Sequence, residues 1–539
     1  MLAIPLAVFA IPAAFGYPAI AQDNHIQNFP LRYLSGLQLR GGHLPLFNAL
    51  TNSGTPLLGG MNSGSLYPLT VIFAIVPAIA AWVINLVAVY VSAAVGLFAL
   101  VRWLGVRTAA AGTAAVVFTY SGAMMGQMVH LAVVQGFALL PWMILIQLWL
   151  IRRVTSLPNE ISVRERWREA TPATLGLAAL WGLTFLTGEP RAIAELELAA
   201  LVVIAVELAM SASFVRTRWR ALAAVAVVNG AGVLWGVAIG LVQMLPGWAF
   251  IGVSQRSAID YSFFGSGSLN TKWTVLLFLQ DAFGGNQVFG FPHYFNNYNL
   301  AEVTGYVGVA ALTAMAAFFS RLTRRGWRGE ERRFAVFGVL AVVGLIAAWG
   351  SFTPFGHVFH ALPFFGKTRL QSRNIILFDV AASVLFAWWL DALTSRRFRE
   401  AGVRGRQRLV TALPALTTLA LGLIILLWSN PFYRWMEVRE WLLPQAQYVR
   451  VNMVVHMVIA AVVLAIIVTP WGERSRRRWL LAVVVVDLAL FNLFCDVSFY
   501  QGKWPVRPET ASVVRALQAR DGRTAIDRKS TRLNSSHGY

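Results

Sequence analysis

Residues 23–68 read DNHIQNFPLRYLSGLQLRGGHLPLFNALTNSGTPLLGGMNSGSLYP. This stretch is too polar, and too rich in Gly, Pro and Asn, to cross a bilayer, yet apolar segments flank it on both sides. Gly and Asn tolerate positive φ and Pro fixes φ, so the stretch predicts an ordered, turn-rich loop. It is either one wall of an active site on the outer face of a membrane or a purely structural loop.

The flanking composition is that of a multi-pass membrane protein. The chain has 539 residues, of which 57% are hydrophobic and 13% charged, with a mean hydropathy of +0.60. Because backbone facing lipid must be hydrogen-bonded internally, apolar runs at this density predict an all-α transmembrane bundle. The single cysteine, Cys495, excludes an intrachain disulfide and a cysteine-based zinc site.

Apolar segments of about 20 residues predict thirteen spans, with long loops between some of them. The predicted spans lie near residues 1–20, 80–103, 106–124, 131–152, 172–187, 190–211, 218–244, 303–321, 333–350, 374–392, 409–428, 451–470 and 478–499. The first segment is either a span or a signal peptide, since Ala19-Ile20-Ala21 imitates a cleavage site but no basic residues precede it.

Basic residues predict the orientation. The net charge of +21 is concentrated in alternate short loops, which favours positive-inside topology over nucleic-acid binding. We therefore expect the N-terminus in the cytoplasm, the C-terminus outside, and any chemistry on the outer face of a bacterial plasma membrane. The long outer loops are 21–79, 245–302, 351–373 and 429–450. No P-loop or dinucleotide-binding motif occurs in a suitable context.

The sequence predicts three regions. Residues 1–500 form a transmembrane domain, and residues 501–527 begin an extracytoplasmic C-terminal region. Residues 528–539, RKSTRLNSSHGY, resemble translated sequencing adapter and are left out of the fold argument.

Two carboxylates are candidate catalytic groups. Asp23, beside His25, is either a general base or cation ligand, or a residue that caps the following helix. Glu302 enters a helix at the outer face, where a carboxylate also suits the helix dipole. His130, at the start of a span, is either a site residue or a satisfied interfacial histidine.

Charged residues near span ends are candidate binding groups. Glu189 and Arg191 lie in a tight turn, where they either pair with each other or face a cavity. Lys367, Arg369 and Arg373 precede a span on the side that is otherwise poor in cations. They are either an interfacial anchor for lipid phosphates or a phosphate-binding site.

Several of these stretches together resemble the YfhO family of bacterial membrane proteins, which is related to the GT-C glycosyltransferases. Besides Asp23, the resemblance rests on the order and spacing of GGHLPLFNALTNSGTPLLGGMNSGSLYP at 41–68, YSGAMMGQMVHLAVVQGFALLPW at 120–142, LTGEPRA at 186–192, NLAEVTGYVG at 299–308 and LPFFGKTRLQSRN at 362–374. No single motif is specific.

The resemblance implies a GT-C-like fold and an enzyme that takes a sugar from a polyprenyl-phosphate lipid with inversion. The essential first-loop acid of such enzymes corresponds to Asp23, and a phosphate-binding arginine to Arg369 or Arg373. Asn24 follows where better-known relatives have an acidic pair, so the cofactor is either a divalent cation, Mg²⁺ or Mn²⁺, or none.

The predicted function is therefore a membrane glycosyltransferase. Its partners would be a polyprenyl-phosphate-sugar donor, a cell-envelope glycan, glycolipid or protein acceptor, and membrane lipids, with no nucleic acid. Two alternatives remain open. One is a transporter or flippase, which the intramembrane acids disfavour because most lie toward the predicted span ends. The other is a catalytically silent envelope-assembly protein on the same fold.

Overall fold

The structure, a computed structural model, describes most of the chain up to residue 494. The described residues are 2–51, 54–60, 62–158, 160–210, 219–254, 259–285, 294–325, 329–393, 405–469 and 472–494. The regions predicted for residues 501–527 and 528–539, and Cys495, lie outside them.

The described secondary structure is almost entirely helical, as predicted. The longer helices are Phe29–Arg40, Ala78–Trp103, Thr108–Thr119, Leu140–Ser156, Val163–Leu186, Pro190–Met210, Trp219–Gly252, Val309–Arg325, Ala335–Trp349, Ile375–Leu393, Gly405–Trp435, Leu443–Val468 and Glu473–Phe494. Shorter ones are Ala3–Pro5, Ile11–Ala14, Gly122–Gly126, Leu131–Phe137, Tyr261–Gly265, Leu300–Val303 and Gly356–His360. The strands Phe47–Asn48 and Thr55–Pro56 pair antiparallel within the first long loop.

Within the described residues, each of the thirteen predicted spans contains helix, but fewer helices meet the length and composition of a membrane span. In the described part of the chain, seven helical stretches are long and apolar enough. Ala3–Ala14, Thr108–Thr119 and Val309–Leu322 are apolar but shorter. The chain is thus a multi-pass helical protein, and the number thirteen stays a prediction, as does its orientation.

Burial distinguishes the centre of the bundle from its periphery. The most apolar windows of Gln371–Leu393 and Leu131–Ser156 are 89% and 83% buried, whereas that of Trp219–Gly252 is 28% buried. The first two therefore form the centre of the bundle. Trp219–Gly252 lies at the periphery, with large apolar side chains such as Leu234 and Trp235 exposed, as expected for a surface that faces lipid.

Glycines attach the peripheral helix to its neighbour. Trp219–Gly252 packs along Val163–Leu186 with Gly236 and Gly240 at the contact. A Cβ on either glycine would come within 2.3 Å of the Cβ of Trp181 or Phe185. Close approach of two backbones through small residues is a usual way to pack helices where lipid removes the hydrophobic driving force.

A buried arginine fixes the first long loop to the bundle. Arg32, on Phe29–Arg40, donates to the Thr70 hydroxyl at 2.7 Å and to Gln135 Oε1 at 3.0 Å. It also contacts the Gly64 carbonyl at 3.4 Å. Burial lowers the pKa of Arg32 to about 10, so the guanidinium stays protonated at neutral pH. The loop is therefore an ordered part of the protein, as its Gly, Pro and Asn content predicted.

One buried segment is not helical. The predicted span 303–321 runs as a long helix only from Val309, because residues 304–308 are not helical between Leu300–Val303 and Val309–Arg325. The Gly122 amide donates to the Tyr306 carbonyl at 2.7 Å, which satisfies part of this irregular backbone. Non-helical backbone inside a bundle is tolerated only where protein or water completes its hydrogen bonds. This segment places Glu302 inside the protein.

Candidate functional site

Three segments distant in sequence meet around His130. Its Nε2 lies 3.1 Å from Asp23 Oδ2, and its Nδ1 lies 2.8 Å from Gln127 Oε1. Gln127 Nε2 donates to the Glu302 carboxylate at 3.0 Å and to the Ala301 carbonyl at 2.6 Å. His130 Nδ1 is also 3.9 Å from Glu302 Oε1. Asp23, His130 and Glu302 therefore belong to one hydrogen-bonded group.

The hydrogen bonds determine where the protons of this group lie. Gln127 uses its Nε2 hydrogens on Glu302 and Ala301, so its Oε1 must accept from His130, and Nδ1 carries a hydrogen. The contact between His130 Nε2 and Asp23 then requires one further proton, on either the imidazole or the carboxyl. A proton shared by Asp23 and His130 would complete this hydrogen bond.

Hydrogen bonds of the next residue, Asn24, hold the chain in place beside Asp23. The side chain of Asn24 donates to the Met128 carbonyl at 2.6 Å and accepts from the Leu131 amide at 3.2 Å, which fixes the chain next to His130. Asp23 itself makes no capping hydrogen bond, so the helix-cap interpretation is wrong. Its side chain is 29% exposed and that of His130 14%, so the group opens at Asp23.

Glu302 is tied to Arg373 by a bidentate ion pair. Arg373 Nε and Nη2 lie 2.7 Å and 2.6 Å from the two carboxylate oxygens of Glu302. Burial alone raises the pKa of Glu302, but Arg373, with His130 and Gln127, outweighs burial and lowers it to about 2. Arg373 Nη1 is also 3.8 Å from Glu189. The arginine therefore links the Asp23 group to the turn at Gly188.

Arg191 orders the segment that carries the other cations. Its guanidinium pairs with Glu195 at 3.2 Å and donates to Thr368 at 2.7 Å and to Gln371 at 2.9 Å. It also lies over the Phe365 ring, 4.7 Å from the centroid. The predicted pairing of Glu189 with Arg191 occurs only through the backbone, since the Arg191 amide donates to Glu189 at 3.0 Å.

The remaining predicted residues lie nearer the surface. Arg369 is half-buried and close enough to Tyr298 to act on the pKa of its hydroxyl, which burial raises and Arg369 opposes. Lys367 and His25 are exposed. The structure places His130 within hydrogen-bond distance of Asp23, a contact that the sequence did not indicate.

Unusual backbone marks three places around the network. Gln22, Asn62 and Leu370 have φ of 48°, 66° and 63°, in the left-handed region that costs non-glycine residues free energy. Gln22 precedes Asp23, the Asn62 amide donates to the Gly188 carbonyl beside Glu189, and Leu370 follows Arg369. Strain of this kind clusters at functional sites.

The network brings acidic and basic side chains together. It holds four carboxylates, those of Asp23, Glu189, Glu195 and Glu302, against two guanidiniums and the imidazole of His130. In the described part of the chain, no three His, Cys, Asp or Glu side chains are placed to hold a metal ion. The carboxylates are instead paired with protein cations, and a divalent cation stays a prediction.

Comparisons with known proteins assign no family to the chain. No family model matches the chain, and no curated protein matches it, so the YfhO resemblance stays a hypothesis. The chain is similar to a solved structure described as ArnT from Cupriavidus metallidurans bound to undecaprenyl phosphate. The identity is 14% and the TM-score 0.41, over 91% of this chain and 75% of that one. What the helices themselves define is a class, the all-α multi-pass membrane proteins.

Proposed function

We propose that this chain is a membrane glycosyltransferase that transfers a sugar from a polyprenyl-phosphate donor to a hydroxyl of a cell-envelope acceptor. The observation that supports this most is the contact of 3.1 Å between His130 Nε2 and Asp23 Oδ2, with Asp23 partly exposed. An outer-face transferase needs a base that a substrate can reach, and this pair supplies one. The motifs that resemble the YfhO family are consistent with it.

The pair can remove a proton from an acceptor. When the shared proton rests on His130, the Asp23 carboxylate can take the proton of the acceptor hydroxyl. The acceptor oxygen bonds to the anomeric carbon as the bond from that carbon to the phosphate oxygen breaks, and the lipid phosphate leaves with the bonding electrons. Glu302 stabilises the protonated imidazole in two ways. It is linked to His130 by hydrogen bonds through Gln127, and its negative charge lies 3.9 Å from His130 Nδ1.

Among the cations, Arg369 is the better candidate for the departing phosphate. Arg373 and Arg191 are fully buried and already paired with Glu302 and Glu195, so a phosphate would have to displace a carboxylate from either. Arg369 is half-buried, and Lys367 is exposed close to it in the chain. We therefore assign the phosphate contact to Arg369, and to Arg373 and Arg191 the ordering of the segment that presents it.

The test is transfer from a radiolabelled polyprenyl-phosphate sugar in membranes that contain the full chain. We expect Asp23→Asn, which keeps the shape but not the basicity, to lower transfer by about 10²–10⁴-fold at unchanged expression. Asp260→Asn is the matched control, since Asp260 is an exposed helix cap and Asn caps equally well.

The outcomes separate the hypotheses. Transfer that survives Asp23→Asn would exclude Asp23 as the base and leave Glu302 to be tested. Absence of transfer from every donor would overturn the proposal and favour a transporter, a flippase or a silent assembly protein.

One observation favours transport as the second candidate. Asp281, Asp379 and Asp487 are almost completely buried among the membrane helices, where acidic groups often mark ion or substrate paths. A transporter would move a solute or lipid across proteoliposomes that contain the purified chain, and a glycosyltransferase would not.

A further inference from the structure

A second buried polar cluster lies apart from the candidate site. Asp281 lies shortly after the 3₁₀ helix Thr271–Leu277. Its Oδ2 is 3.1 Å from His456 Nε2. His456 is near the middle of the helix Leu443–Val468, and the two side chains are 4% and 2% exposed. A residue from a predicted outer loop thus reaches the middle of a membrane helix.

Several polar atoms around this pair have no hydrogen-bond partner. They are Asp281 Oδ1, His456 Nδ1, Asn452 Nδ2 and both amide atoms of Gln280. Asn452 precedes His456 by one helical turn, so the two share a helix face. Gln280 is 1% exposed and Asn452 8%. Because leaving a buried polar atom unpaired costs about 1–3 kcal/mol, a group of them indicates a small ligand or water.

A second carboxyl group, that of Asp487, lies near the cluster. Asp487 accepts from the Tyr306 hydroxyl at 2.6 Å and from the Val309 amide at 3.2 Å. Its charge interacts with those of His456 and Asp281. The other titratable group nearby is Tyr433, whose hydroxyl donates to the Ala282 carbonyl.

The cluster therefore holds two carboxylates and one imidazole. Within the described residues, neither carboxylate forms an ion pair with Lys or Arg. A net negative charge inside the protein is costly unless a cation compensates it. The donor set favours a single charge, because no three acid, His or Cys side chains converge there in the described chain.

We propose that Asp281, His456, Gln280 and Asn452 form a binding site for one monovalent cation, either a hydronium ion or an alkali-metal ion. The unpaired oxygens of Asp281 and Gln280 would face the cation, and Asp487 would strengthen its binding through charge. The site does not depend on the proposed sugar transfer, and a negative transfer assay would leave it standing.

The experiment is thermal unfolding of the purified full chain in detergent, followed by the fluorescence of its 20 tryptophans. One series raises sodium chloride while choline chloride keeps the ionic strength constant. A second series lowers the pH from mildly alkaline to mildly acidic in choline chloride alone. A ligand that binds only the folded protein should raise the unfolding midpoint, by about 2–4 °C at a concentration of order a hundred times its dissociation constant. A sodium-dependent rise identifies an alkali-metal ion, and a rise only on acidification identifies a hydronium ion at this site where Asp281→Asn removes it.

The variants assign the effect to the site. Asp281→Asn should abolish the shift, whereas Asp260→Asn in the same loop should keep it. His456→Gln serves as a second variant if Asp281→Asn does not fold. An unfolding midpoint of the unchanged chain that responds to neither cation nor pH would overturn the proposal. So would an Asp281→Asn variant, or failing that a His456→Gln variant, that responds as fully as the unchanged chain.

Discussion

Arg373 shows how a single residue changes meaning once its neighbours are known. Three cations on a cation-poor side suggested phosphate binding, but the most buried of them forms a bidentate pair with Glu302. A buried charge pair of this kind is worth little when both members are replaced, yet breaking it leaves an isolated buried charge. The effect of breaking the pair between Arg373 and Glu302 on the stability of the protein can be measured with single substitutions.

Arg373→Gln should destabilise the protein by about 3–5 kcal/mol, because Glu302 stays buried without its partner. The matched control is Arg434→Gln, which removes an exposed pair with Glu440 and should cost under about 1 kcal/mol. Chemical or thermal unfolding in detergent measures both. Equal effects from the two variants would show that the Glu302 pair is not buried.

The pH dependence should reverse in the same variant. In the unchanged chain, the folded pKa of Glu302, about 2, lies below its unfolded value. The pair therefore stabilises the folded protein above pH about 4.3. This contribution is lost as the pH falls toward the folded pKa of Glu302. In Arg373→Gln, burial without a partner raises the pKa of Glu302, so acidification through the same range should raise the unfolding midpoint. Parallel falls in both proteins would contradict the prediction.

Arg369→Gln should act on the substrate rather than on the fold. If Arg369 contacts the donor phosphate, transfer efficiency should fall by about 10–100-fold from the loss of one charge-assisted bidentate contact. The unfolding midpoint should stay unchanged, since Arg369 is only half-buried. Arg439→Gln, an exposed arginine in another predicted outer loop, is the control. Normal transfer in Arg369→Gln would return the phosphate role to the remaining cations.

At the level of elements, the pairing of Trp219–Gly252 with Val163–Leu186 depends on glycine. Hydropathy predicts both helices but not their contact, because an apolar helix can pack on any of several neighbours. Gly236 decides the contact in the structure, since its missing side chain leaves room for the Cβ of Trp181.

Gly236→Leu should separate the two helices and destabilise the protein by about 1–3 kcal/mol through overpacking. Gly230→Ala on the same helix is the control, because no atom lies within 4 Å of the added Cβ. That change should be neutral or slightly stabilising, since Ala favours helix more than Gly does. Unfolding midpoints in detergent compare the two. A stable Gly236→Leu variant would show that the helices do not approach so closely.

At the level of the whole molecule, the orientation of the chain in the membrane is predicted from the basic loops alone. The helices lie where hydropathy placed them, but no described contact shows which side faces the cytoplasm. The positive-inside rule places residue 50 outside and residue 160 inside.

Single cysteines can test this in a Cys495→Ser background. Leu50→Cys should react with a membrane-impermeant maleimide on intact cells, because Leu50 is exposed in the first long loop. Glu160→Cys, at an exposed position in a basic loop, should react only after permeabilisation. The reverse pattern would invert the orientation and move the candidate site to the cytoplasmic side.

The sequence alone determined the class of protein and most of its helices. This was possible because the length of an apolar segment, and the positions of glycine and proline along the chain, are local properties. It also singled out Asp23, His130, Glu189, Arg191, Glu302 and Arg373, since charged groups beside apolar spans are unusual. Only the tertiary structure decided how these residues pair. The contact of His130 with Asp23 and the role of Gln127 depend on segments more than a hundred residues apart. So does the meeting of Asp281 with His456. Such contacts follow from the packing of the whole bundle, which no local pattern encodes.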